Sequence, residues 1–148
     1  MEKAVKRVEK AVANGEQILV YGDYDVDGIT SSALLLRALK RLGAKASYYI
    51  PTRQEGYGLH EEMLYRFATA NVSLVISVDC GISAIEEVTA LQGELDIVIT
   101  DHHLPGPVLP PAVAVVNPHR AGEIYPFPDL AGVGVTWKLC QALWKKLR

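Results

Sequence analysis

Carboxylates and imidazoles recur at three places in this chain, and each time they close a short apolar run. Asp23, Asp25 and Asp27 follow Gln17-Ile18-Leu19-Val20-Tyr21, Asp79 follows Leu74-Val75-Ile76-Ser77-Val78, and Asp101-His102-His103 follows Asp96-Ile97-Val98-Ile99-Thr100. Side chains of these types gathered at strand ends are how a protein builds a metal site. Five aspartates in one crevice would repel one another strongly, raising their pKa values or straining the chain unless divalent cations shared them. Two ions held by bridging carboxylates and an imidazole can bind phosphate and activate water near neutral pH, an arrangement suited to in-line attack on a phosphodiester. A donor set rich in carboxylate, with one or two histidines, suits Mn2+ or Mg2+ better than a thiolate-seeking metal.

Each cluster taken singly has a plainer reading. Asp27-Gly28 is ordinary turn chemistry, Asp79 can simply start a helix, and adjacent histidines on a loop are often solvated. Three alternating aspartates exceed what a turn needs. The conjunction at three strand ends carries the metal reading.

The elements that must position these groups follow from the apolar pattern. The three runs are short and apolar on both faces, as in a parallel sheet covered on both sides. Ala46–Ile50, ended by Pro51, and Ala112–Val116 supply two further strands. Glu2–Asn14 places Val5, Val8, Ala11 and Val12 on one helical face and is stopped by Gly15. Ile29–Leu42 reads as a largely buried crossover helix with Gly43 as its stop. His60–Ala70 carries Met63, Leu64 and Phe67 at helical spacing, Ser83 with Glu86 reads as a capping box for the next helix, and Thr136–Leu147 as the last helix. The expected fold class is α/β: a doubly wound, mainly parallel five-stranded sheet with helices on both faces. Ligands of such sheets sit outside the carboxyl ends of the strands, where strand order reverses, so the three clusters can converge.

Composition bounds the reading. With 148 residues, 49% hydrophobic and 22% charged, the chain suits one globular domain over 1–148. Its apolar stretches fall far short of the roughly 20 residues of a membrane span and no signal peptide opens it, so a soluble, cytoplasmic protein is expected. Cys80 and Cys140 lack metal-ligand spacing and read as packing residues. A net charge of −2 is unusual for a domain that would hold nucleic acid unaided.

Asp101-His102-His103 is the signature that names the DHH phosphoesterases. Val20–Gly28 and Ser77–Gly81 resemble the first two motifs of that family's RecJ branch. Arg53–Leu59, Asp101–Pro105, Val116-Asn117-Pro118 and Leu130–Val135 resemble further motifs of it in the same order, from about Ile18 to Leu143. The resemblance implies a metal-dependent 5′ to 3′ exonuclease acting on single-stranded DNA in recombination and repair, with Mn2+ or Mg2+ in a two-metal site. It implies Asp25, Asp27, Asp79 and His102 as metal ligands and Asp23 as a further ligand or their support. His103 would face the scissile phosphate, and Asp101 would orient the adjacent imidazole. Arg53 reads as a phosphate contact or a surface arginine, and Tyr57 as a residue that could stack a base. Asn117 reads as a substrate contact or an Asn-Pro turn. Gly132 and Gly134 read as a helix start open to phosphate or as close packing.

The resemblance also implies one more metal-binding Asp, in a motif absent before Arg148, together with a second DHH-associated domain and an oligonucleotide-binding domain. The expectation is therefore an N-terminal catalytic core of a longer protein, with single-stranded DNA as substrate and a single-strand-binding protein or helicase as partner of the whole. The competing readings are a DHH phosphodiesterase for short RNA or cyclic dinucleotides, and a non-catalytic replication or repair scaffold. A dinucleotide-binding domain is disfavoured, because carboxylates stand where a pyrophosphate needs a glycine-rich turn.

Overall fold

The structure, a computed structural model, describes residues 1–148. In chain order its elements are α1 Glu2–Ala13, β1 Gln17–Tyr21, α2 Val26–Arg41, β2 Lys45–Tyr49, α3 Glu61–Thr69, β3 Val72–Val78, α4 Ile85–Ala90, β4 Asp96–Thr100, β5 Ala114–Val116 and α5 Gly132–Leu147. The sheet runs β2-β1-β3-β4-β5 with every pair parallel, so the expected mainly parallel sheet is wholly so. No helix is long and apolar enough to cross a membrane.

The two-residue period of the strands divides the core. Ile18 and Val20 of β1 join Leu74, Ile76 and Val98 under α1, α2 and α5, through Ala4, Val8, Leu35, Leu39, Leu139 and Leu143. Leu19, Tyr21, Val75, Ile97 and Ile99 turn to the other face and pack beneath Leu64 of α3 and Val88 of α4. Each such aliphatic side chain, fully buried, contributes about 1.5–3 kcal/mol. The sheet is thus doubly wound, and its inner strands show no polar alternation because neither face meets water.

The amino ends of the strands are tied by one arginine. Arg7 Nε lies 2.5 Å from Asp96 Oδ2, its Nη2 donates to Glu16 at 2.6 Å and to the Ser73 carbonyl at 3.3 Å, and its side chain is almost wholly buried. The carboxyl ends carry the three clusters. Strand order reverses between β1 and β3, and Asp23 and Asp79 follow those two strands.

Local differences from the sequence reading have local causes. Helix α2 begins at Val26 rather than Ile29, because the Asp25 carboxylate accepts the Gly28 N–H at 2.8 Å and caps it. Nor is α2 largely buried: Ala33 and Arg37 face outward. The Ser83–Glu86 capping box does not form. A turn in which Ala84 N–H donates to the Gly81 carbonyl at 3.1 Å makes Ala84 the cap instead. Strand β5 starts at Ala114 after Pro110-Pro111, which lack N–H donors. Helix α5 starts four residues early, at Gly132.

Candidate metal centre

Backbone pairing brings the three clusters to one crevice. Asp79 N–H donates to the Thr100 carbonyl at 3.0 Å and Asp101 N–H to the Val116 carbonyl at 3.1 Å, so each acid leaves its strand already held by the next strand. Asp79 then takes a left-handed backbone, φ 62, which Asp adopts at some cost. Two hydroxyls brace that turn: Ser77 Oγ donates to the Cys80 carbonyl and Thr100 Oγ1 to the Ser77 carbonyl, both at 2.8 Å. The sequence reading passed over Ser77 and Thr100. Their signal was a hydroxyl near the end of an otherwise apolar strand.

Two groups of donor atoms share Asp79. Asp23, Asp25 and Asp79 form one, and Asp79, His102 and His103 the other, the atoms of each lying within 4.8 Å of one another. Asp27 stands beside them in the first turn of α2. The N–H groups of Gly132 and Val133 point at its two carboxylate oxygens from 3.3 and 3.5 Å. His102 Nε2 lies 3.1 Å from Asp79 Oδ1, and both oxygens of Asp79 are buried with no hydrogen bond satisfying them. An orphaned buried carboxylate is unfavourable by itself. As an acceptor pair facing two more carboxylates and two imidazoles, it fits hard divalent cations.

The electrostatics follow the expected direction with a different leading cause. Burial first, then the Asp25 carboxylate through its charge and as a partner for the Asp79 proton, and then the Asp27 and Asp101 charges push the Asp79 carboxyl up to about 8. Asp23 is raised in the same way, burial outweighing the Tyr24 N–H that its carboxylate accepts at 2.7 Å.

Asp101 is fully buried and spends both oxygens: Oδ2 accepts the Ile82 N–H at 3.0 Å, and Oδ1 accepts the His102 N–H at 2.8 Å and lies 2.6 Å from His103 Nδ1. The imidazole it orients is that of His103. The Asn117 side chain is buried and used internally, donating to the His103 carbonyl and accepting the His119 N–H, each at 2.8 Å. It braces the loop that carries His103. Gly132 is packed so closely that a Cβ would overlap the Asp79 carboxylate, and its helix end faces Asp27. Gly134 packs on Leu130, away from the centre. Arg53 is exposed, with its guanidinium 5.3 Å from the centre of the Tyr24 ring. The Tyr57 hydroxyl reaches His103 Nδ1 at 3.2 Å. Cys80 and Cys140 are buried and unbridged.

A parallel sheet with an acidic, imidazole-flanked centre at its switch point is the DHH arrangement. The chain belongs to the DHH family: the model of the "DHH family, N-terminal domain" matches residues 17–148. Within that family it is homologous to RecJ. It is 46% identical to the single-stranded-DNA-specific exonuclease RecJ of Bacillus subtilis (strain 168) over 99% of this chain and 19% of that protein. Among solved structures, exonuclease RecJ bound to manganese superposes with a TM-score of 0.88 at 37% identity, covering 98% of this chain and 37% of that one. RecJ of Thermus thermophilus in complex with Mn2+ gives 0.80 at 31% identity, covering 98% and 20%, and a structure of the same protein holds Mg2+. The chain thus spans about a fifth of the length of the Bacillus relative.

Proposed function

We propose that this chain carries the metal-binding part of an exonuclease that degrades single-stranded DNA from its 5′ end. The observation that carries this reading is the pair of orphaned Asp79 oxygens shared by two acid and imidazole groups. Asp23, Asp25, Asp27, Asp79 and His102 would hold Mn2+ or Mg2+, which when bound supplies charge on the phosphate and lowers the pKa of an attacking water. The protein's own groups do the rest. His103, with Nδ1 against Asp101, presents an oriented imidazole for proton transfer at the scissile phosphate. Arg53 offers two parallel N–H donors to a backbone phosphate.

The test joins calorimetric titration of Mn2+ with an assay on a 5′-phosphorylated single-stranded oligonucleotide. Saturable Mn2+ binding, lost in Asp79→Asn, and shortening from the 5′ end are expected. No saturable binding refutes the metal centre. Binding with attack on duplex or on the 3′ end refutes the substrate reading, and binding without cleavage refutes catalysis by this chain.

A further inference from the structure

The Arg53–Leu59 loop is built to deliver one hydroxyl. Gly56 and Gly58 adopt φ of 88 and 95, conformations that favour glycine, and between them they turn Tyr57 toward the centre. Glu55 anchors the loop by accepting the Tyr49 hydroxyl at 2.6 Å and the Thr52 N–H at 2.7 Å. Leu59 is buried in the core beneath, and His60 Nε2 lies 3.1 Å from the Gly56 carbonyl. The Tyr57 hydroxyl then sits 3.3 Å from the Asp79 carbonyl oxygen and 3.2 Å from His103 Nδ1, with the ring edge-on to that imidazole at 5.8 Å and 77°. Because the Asp101 carboxylate takes Nδ1–H of His103, the hydroxyl proton of Tyr57 goes to the Asp79 carbonyl and its oxygen faces the imidazole N–H.

We propose that Tyr57 is a positioning residue: its hydroxyl ties the left-handed Asp79 peptide to the His103 imidazole, rather than its ring serving as a base-stacking platform. The inference deepens the exonuclease reading and rests on it for the reaction concerned. Asp79 contributes to both donor groups from a left-handed backbone, and His103 is half-exposed, its imidazole held otherwise by Asp101 and its backbone by Asn117. One hydroxyl between them sets the distance from the carboxylate to the imidazole, and outer contacts of this kind are typically worth about 10–100-fold in affinity or activity.

Tyr57→Phe keeps the ring and loses the hydroxyl, while Tyr57→Leu loses both. With Mn2+ and a 5′-phosphorylated oligonucleotide, Tyr57→Phe is expected to lower kcat by about tenfold or more with KM little changed, and Tyr57→Leu to add little to that loss. Stacking predicts the opposite: Tyr57→Phe like the parent, and Tyr57→Leu with a raised KM. That result would overturn the proposal. A second reading needs no turnover. In the metal-free chain, Tyr57→Phe is expected to shift or broaden the His103 ring-nitrogen and Cys80 amide resonances while the Val98 and Leu139 amides stay in place. Unmoved His103 and Cys80 signals refute the tie. If the parent chain cleaves nothing, catalysis by this chain fails while the spectra still decide the role of Tyr57.

Discussion

Replacing Asp79 by Asn should stabilise the metal-free chain and abolish metal binding. Asn has the same shape, tolerates the left-handed backbone at φ 62 and places a donor beside Asp25. The Asp79 carboxyl titrates near 8 in the folded chain against 3.8 in an unfolded one. Below about pH 4 both states hold the proton and the group is neutral to stability. As pH rises from about 4 to 8 only the unfolded chain releases it, so stability falls across that window and levels off above it. At pH 7, about three pH units above the unfolded value, the loss is on the order of 4 kcal/mol at 1.36 kcal/mol per unit. For a domain of this size that is a rise of roughly 8–16 °C in Tm for Asp79→Asn at pH 7, vanishing near pH 4. Thermal unfolding followed by circular dichroism in EDTA, from pH 4 to 8, measures it. Added Mn2+ should then stabilise the parent by about 2.7 kcal/mol at a hundredfold excess over Kd, read as a rise in Tm, and leave the variant unmoved. A Tm difference that does not grow with pH would refute the buried, protonated carboxyl.

His102→Ala should leave the fold intact, since the ring is partly exposed, and weaken Mn2+ binding at least tenfold with loss of cleavage, as calorimetry and the oligonucleotide assay would show. Gly132→Ala should lower Tm and disturb metal binding because its Cβ would overlap the Asp79 carboxylate. Helix propensity alone predicts a gain of about 1 kcal/mol, so a stabilised variant would contradict the packing. Arg7→Met should cost about 1–3 kcal/mol in urea unfolding by removing the partner of Glu16 and of the half-exposed Asp96 at the amino ends of the strands, with Mn2+ affinity unchanged.

The central strands, the helices between them and the acids at the strand ends were legible in the sequence, because hydrophobic period and turn chemistry are local properties. So was a candidate metal site, since aspartates and imidazoles fall together at the carboxyl ends of three strands. The role of each supporting residue was not. Asn117, read as a turn or a substrate contact, spends both ends of its side chain on the loop that carries His103. Gly132, read as an opening for phosphate or as close packing, packs against the Asp79 carboxylate, and Ser83 gives way to a backbone turn at Ala84. Ser77 and Thr100 became visible as braces only once β3 and β4 lay side by side. By itself the sequence determined which residue types could gather at the carboxyl edge of a parallel sheet. Only the tertiary structure decided that Asp79 joins both donor groups and that the hydroxyl of the exposed Tyr57 reaches Asp79 and His103. Those pairings depend on strand register and glycine-set loop directions, which act over separations of 22 residues and more that no local pattern records.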